Sequence, residues 1–178
     1  NTIGVENSTL YTVTLRCSGF KLSSVNFGQV EADGKVIRTI TDGTRVVLRG
    51  LVGYTKINNK AFEKLPLSLR FYAGGAKSIR GYGYQDLGRG GGSSIVIGSA
   101  ELQQRIYGDW YAGVFFDIGN VYEGGLPNMG LSQLKKAVGA SAIYMSPIGT
   151  LQISIGFPIN DPHQHLQRHK KFRVQFTM

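Results

Sequence analysis

Residues 150–157 read Thr150-Leu151-Gln152-Ile153-Ser154-Ile155-Gly156-Phe157, with an apolar side chain at every odd position and a small or polar one at every even position. Successive side chains of a β-strand point to opposite faces, so this period of two makes a strand with one greasy face; a helix would scatter the same residues around its circumference. The end of the chain, 171–178, repeats the pattern, with Phe172, Val174, Phe176 and Met178 opposed by Lys171, Arg173, Gln175 and Thr177. Working back, Val96, Ala100, Leu102 and Ile106 oppose Ser99, Glu101, Gln103 and Arg105 over 96–106. Over 110–122, Trp110, Ala112, Val114, Phe116 and Ile118 form the apolar series, with Gly113, Asp117 and Gly119 on the other face. A carboxylate in so apolar a strand must face water or a partner. Weaker alternation over 10–20, 29–40, 44–54 and 134–145 brings the count to about eight strands, each long enough to cross a bilayer.

The connections alternate in length. Asp42-Gly43, Gly108-Asp109 and 147–149 are tight turns, whereas 22–28, 56–92, 123–132 and 160–170 are longer. Short turns at one end and long loops at the other are the pattern of a transmembrane barrel, with turns periplasmic and loops extracellular. Tyr107, Trp110 and Tyr111 flank one tight turn, where an interfacial aromatic girdle would lie. The reading is therefore an all-β fold, a transmembrane antiparallel β-barrel whose apolar faces meet lipid and whose polar faces line a lumen.

Composition agrees without deciding. The 178 residues suit one domain and contain no linker. Hydrophobic residues make up 42%, and the mean hydropathy is −0.09, as in a soluble protein or in a barrel whose strands show lipid only every second side chain. No window approaches the ~18–20 apolar residues of a spanning helix. Residues 1–6 lack the basic and apolar regions of a signal peptide, so the expectation is that one has been removed or that the chain is a fragment. The net charge of +9 admits nucleic acid, an anionic membrane surface or a pore lining; its placement on polar strand faces favours the last. Cys17, the only cysteine, excludes an intrachain disulfide and a cysteine-rich zinc site, and is read as a small apolar side chain on a strand.

The longest connection contains LRFYAGGAKSIRGYGY at 69–84. Its Ile79-Arg80-Gly81-Tyr82 resembles the (V/I)-R-G-(F/Y) signature of the outer-membrane assembly and two-partner secretion superfamily, which includes the BamA, TamA and filamentous-haemagglutinin transporter families. The flanking residues are most similar to the TamA branch, with its barrel of bacterial-surface-antigen type. In that superfamily the signature lies at the tip of a loop folded back into the barrel, and its arginine pairs with acids on the inner wall. The resemblance implies Glu101 and Asp117 as those acids, both already assigned by alternation to the lumen. Guanidinium with carboxylate offers bidentate, charge-assisted hydrogen bonds, an anchor that a long inward-folding loop (about 57–92) needs. Gly74, Gly75, Gly81 and Gly83 are expected to let the backbone turn beside the wall.

The resemblance also implies what the chain is part of. Family members carry periplasmic POTRA domains and a barrel of about sixteen strands, so residues 1–178 read as the C-terminal half of such a barrel, with the POTRA domains and N-terminal strands absent. The expected partners are outer-membrane lipid, unfolded outer-membrane and autotransporter client proteins, a TamB-like inner-membrane-anchored protein reached through the POTRA domains, and either the remaining half of the barrel or a second copy. The expected activity is assembly and translocation of clients by opening a barrel seam and templating an incoming strand. The last strand, with Phe172, Val174, Phe176 and Met178, resembles the family's assembly signal, although Met178 stands where many outer-membrane proteins have Phe.

Other motifs carry less. Gly88-Arg89-Gly90-Gly91-Gly92 is read as a mobile loop, since neither a phosphate-binding helix start nor a second RGG repeat accompanies it. His163, His165 and His169 lie beside Arg168, Lys170 and Lys171, which would repel a metal ion. No nucleophilic or acid–base set comes with a supporting motif, so the expectation is a protein that is not an enzyme, with no cofactor and no metal. A self-contained eight-stranded barrel with a structural or adhesion role is the alternative, opposed by the bulk of a loop that its filled interior could not admit. A soluble nucleic-acid-binding β-protein is a third reading, marked by salt-dependent polyanion binding.

Overall fold

The structure is a computed structural model, and its description covers residues 7–18, 26–57, 59–123, 133–159 and 172–177. Ten strands form among these: β1 (Asn7–Ser18), β2 (Phe27–Thr41), β3 (Thr44–Ile57), β4 (Phe71–Ala73), β5 (Leu87–Gly92), β6 (Ser94–Tyr107), β7 (Trp110–Tyr122), β8 (Lys135–Ser146), β9 (Gly149–Ile159) and β10 (Arg173–Thr177). Eight build one antiparallel sheet in the order β1-β2-β3-β6-β7-β8-β9-β10, and β4 with β5 forms a separate two-stranded sheet. Among the described residues β1 pairs only with β2 and β10 only with β9, so the sheet they form is open and ends in two edges.

Register follows the alternation. Leu15 lies opposite Val30, Leu48 opposite Ala100, and Val114 opposite Leu102 and Ala140, so one face of the sheet is a continuous apolar surface. That face is exposed: Val114 is 60% accessible, Ile153 41% and Phe176 70%. An apolar surface of this extent suits hydrocarbon rather than water. Trp110 stacks on Tyr144 at 4.9 Å on this face, at the end of the tight turns. Tyr111 departs from the expected girdle: it points to the opposite face, where the Arg45 guanidinium lies 4.7 Å from its ring centroid. Cys17 is free and exposed on β1.

The opposite face carries the segment between β3 and β6, and it is called the inner face here. The expectation that this face is polar holds only in part. Ile95, Ile97, Val121 and Ala137 all point inward and are buried against Phe71, Ala73, Ile79, Tyr82 and Leu87 of the loop. Water does not reach the wall where the loop lies on it, so apolar side chains are stable there. The loop itself has structure: 3-10 turns at Asn59–Lys64 and Leu67–Leu69 precede the β4–β5 pair.

Several boundaries move. Among the described residues the strand expected over 10–20 is Asn7–Ser18, that over 134–145 is Lys135–Ser146, and that over 171–178 is Arg173–Thr177; residues 19–20, 171 and 178 lie outside the description. Gly88 to Gly92, expected as a mobile loop, lies in β5. Its glycines answer to packing, because a Cβ on Gly88 would lie 2.7 Å from the Val121 side chain and one on Gly92 2.6 Å from the Tyr122 carbonyl oxygen. His163, His165, His169 and Met178 lie outside the described residues.

Candidate functional site

The loop is shaped first by Arg70. Its Nε donates to the Leu65 carbonyl (3.0 Å), Nη1 to the Gly90 carbonyl (2.7 Å) and Nη2 to the Glu63 carbonyl (2.8 Å), while the guanidinium covers the Phe62 ring at 4.9 Å. One side chain thus ties the 3-10 turn to β5. Gln29 of β2 adds a tether from the wall, with Nε2 donating to the Leu69 carbonyl at 2.8 Å. Beyond β4, Gly74 and Gly75 adopt φ of +102° and +100°, a left-handed conformation that costs glycine little. The reversal closes with Gly75 N–H donating to the Tyr82 carbonyl at 3.1 Å, placing Ile79, Arg80 and Gly81 at the tip.

Arg80 is 2% exposed and points into the wall. Its Nε donates to Asp117 Oδ2 and Nη2 to Asp117 Oδ1, both at 2.9 Å, so the pair is bidentate. The Arg80 backbone N–H donates to the same Oδ2 at 2.9 Å, Nη2 also reaches Ser99 Oγ at 3.1 Å, and Nη1 bonds Glu101 Oε2. Glu101 and Asp117 stand on adjacent strands, β6 and β7, and both are buried. The remaining acceptor capacity is filled: Ser99 donates to Asp117 Oδ1 (2.6 Å), and Gln103, Ser141 and Gln152 donate to Glu101 Oε1 at 2.8, 2.9 and 3.0 Å. Burial pushes the guanidinium pKa down, but the hydrogen bonds and charge of Asp117, then those of Glu101, outweigh it and hold the pKa above its ordinary value.

Residues outside the sequence-level reading complete this site. Phe115, directly opposite Glu101 in the β6–β7 register, presents its ring 3.5 Å from the Arg80 guanidinium carbon, a desolvated cation–π contact. Gly139 faces Phe115 across β7–β8, and a side chain there would meet the ring. Gly156 of β9 leaves room for the tip backbone: its Cβ would lie 2.6 Å from the Arg80 carbonyl oxygen. Gly81 is the reciprocal case, with a Cβ falling 2.6 Å from that of Ala137. Of the four loop glycines read from the sequence, Gly74 and Gly75 adopt positive φ, whereas Gly81 answers to its close approach to the wall. β10 touches the tip as well, since Gln175 Nε2 donates to the Tyr82 carbonyl at 3.0 Å and Arg173 lies 3.8 Å from the Asp86 carboxylate. Phe172, Val174 and Phe176 lie on the exposed side of that strand region. Two charges opposed to one buried cation, with every carboxylate oxygen hydrogen-bonded, form a structural clamp.

The Omp85 superfamily domain matches residues 2–178. The chain belongs to the Omp85 superfamily. An outer membrane protein assembly factor BamA of Nitratidesulfovibrio vulgaris is 31% identical over 124 residues, which is 64% of this Omp85 chain and 15% of that protein. The fold is similar to the crystal structure of BamA from Haemophilus ducreyi lacking POTRA domains 1-3, with a TM-score of 0.74 and 18% identity over 99% of this chain and 38% of that one. This Omp85 sequence thus spans a minor part of each relative.

Proposed function

We propose that this chain is a wall segment of an outer-membrane barrel that assembles and inserts other outer-membrane proteins, with Arg80, Glu101 and Asp117 anchoring its long loop inside the lumen. The buried Arg80 clamp carries the reading. A lipid-facing wall needs no such clamp, whereas a loop held in a lumen must replace the water it displaces with bonds of its own. The segment is the C-terminal half of a barrel of about sixteen strands. Support comes from eight strands in one open sheet with unpaired edges at β1 and β10. The same edges disfavour a self-contained eight-stranded barrel, which would pair them.

The mechanism is physical. Among the described residues β10 pairs with β9 at five positions, against eleven between β8 and β9. A short edge strand separates from its neighbour at low cost and exposes unpaired N–H and C=O groups to an incoming strand. On this reading, which the similarity of residues 69–84 to the TamA branch supports, the clients are autotransporters and the partner is a TamB-like protein reached through POTRA domains.

The test uses the full-length protein in liposomes with an unfolded autotransporter barrel as client, following its conversion to the compact, heat-modifiable form. Wild type is expected to accelerate conversion and Arg80→Ala to slow it. Equal rates with and without the protein would overturn the reading, as would an upstream coding sequence without POTRA domains and further strands.

A further inference from the structure

The inner face also carries cations that the clamp does not use. Lys35 of β2 and Arg49 of β3 are direct cross-strand partners, and Arg45 lies four residues before Arg49 on the same face, with the inward Val47 between them. Like charges set opposite one another across a ladder destabilise it, so this placement costs the sheet stability. Among the described residues none of the three has a carboxylate within salt-bridge distance. Arg45 donates to Gln103 Oε1 and approaches Met145 Sδ at 3.4 Å, and Arg49 reaches Ser99 Oγ at 3.4 Å.

Nearby acids are engaged elsewhere. Glu101 and Asp117 surround Arg80, and that cation cancels half their charge. Glu31 is paired with Arg16 at 3.0 Å. Asp33 shares the inward parity of Lys35 but lies level with Leu51 and Ile97, towards the loop. The balance on this part of the wall is positive even with Asp33 counted. The patch runs from the level of the clamp towards the tight turn at Asp42-Gly43, so it occupies the side of the anchored loop that faces the turns.

We propose that Lys35, Arg45 and Arg49 form a docking surface for a carboxylate-bearing segment of unfolded client polypeptide entering from the turn side. This rests on the assembly reading, in which the turns face the compartment that delivers clients. Guanidinium and ammonium groups bordering a low-dielectric wall attract extended acidic peptide and hold it weakly enough to release it onwards. The loop above supplies a floor, so a segment bound here is stopped short of the far side until the clamp moves.

The experiment measures fluorescence anisotropy of a labelled twenty-residue peptide of Gly, Ser, Asp and Glu with full-length protein in detergent, beside the same peptide carrying Asn and Gln. The acidic peptide is expected to bind in a salt-dependent manner and the neutral one at least tenfold more weakly. Lys35→Gln with Arg49→Gln should reduce acidic-peptide affinity about tenfold. Lys35→Arg with Arg49→Lys should retain it, as should Arg38→Gln on the exposed face. Equal affinity for the two peptides, or for the neutralised variant and wild type, overturns the proposal. A neutralised variant that loses its compact gel mobility while the charge-retaining variant keeps it also overturns it, by assigning the cations to carboxylates of the barrel itself. Insertion of the client barrel by wild type is scored separately, so a failed patch with intact insertion is distinguishable from a failure of the assembly reading.

Discussion

Replacing Arg80 by alanine removes four side-chain hydrogen bonds, two to Asp117 and one each to Glu101 and Ser99, together with the ring contact to Phe115. The larger effect lies in what stays behind: Asp117 is 0% exposed and Glu101 5%, and both would remain buried without a cation. Breaking a buried pair in this way costs about 3–5 kcal/mol. The carboxylates keep some bonds, from Ser99 and the residue-80 backbone N–H to Asp117, and from Gln103, Ser141 and Gln152 to Glu101. The lower end, about 3 kcal/mol or roughly a hundredfold in the folding equilibrium, is therefore expected. The assay is urea unfolding of full-length protein in detergent, followed by compact gel mobility, with trypsin cleavage after Lys77 reporting loop release. Arg38→Ala on the exposed face serves as the control and should fall within about 0.5 kcal/mol of wild type. Adding Asp117→Asn and Glu101→Gln to Arg80→Ala should recover part of the loss, because neutral amides tolerate burial better than unpaired carboxylates. An Arg80→Ala protein within 0.5 kcal/mol of wild type and with its loop still protected would refute the clamp.

The other expectations concern the surroundings of that clamp. Gly156→Val should displace the loop tip and destabilise by about 1–3 kcal/mol, since even a Cβ would lie 2.6 Å from the Arg80 carbonyl; unaltered trypsin protection would contradict this. Phe115→Leu keeps an apolar side chain but loses the cation–π contact, and should cost about 0.5–2 kcal/mol in the same unfolding assay. Gln175→Ala removes the bond to the Tyr82 carbonyl and should loosen β10 by about 1 kcal/mol, read as faster amide exchange in Arg173–Thr177 with no change in β7. The isolated chain, folded in detergent, should associate through its free edges; sedimentation as a monomer at micromolar concentration would argue that the edges are blocked.

Much of this was legible in local pattern. The strands of the large sheet and their lipid-facing side follow from period-two alternation, a property of consecutive residues that needs no knowledge of neighbours, as in Leu151, Ile153, Ile155 and Phe157. The tight turns follow from local chemistry such as Asp42-Gly43. Arg80, Glu101 and Asp117 were visible because charged residues in an apolar context demand partners, and the motif around Arg80 said which loop carries it. The inner face was not legible in the same way. In Ile95-Val96-Ile97 both faces are apolar, so parity alone cannot tell lipid from lumen; docking of Phe71, Ile79 and Leu87 decides that Ile95 and Ile97 point inward. Phe115 shares the inward parity of Asp117, but that an aromatic ring there meets a guanidinium emerges only when the β6–β7 register sets it beside Glu101 and the loop brings Arg80 to it. The absence of side chains at Gly139 and Gly156 has meaning only through what fills the space, a ring from β7 and a carbonyl from a loop some seventy residues earlier. Alternation is a local property of the backbone, whereas the clamp, its floor of glycines and the surplus of cations beside it exist only once strands distant in sequence share one face.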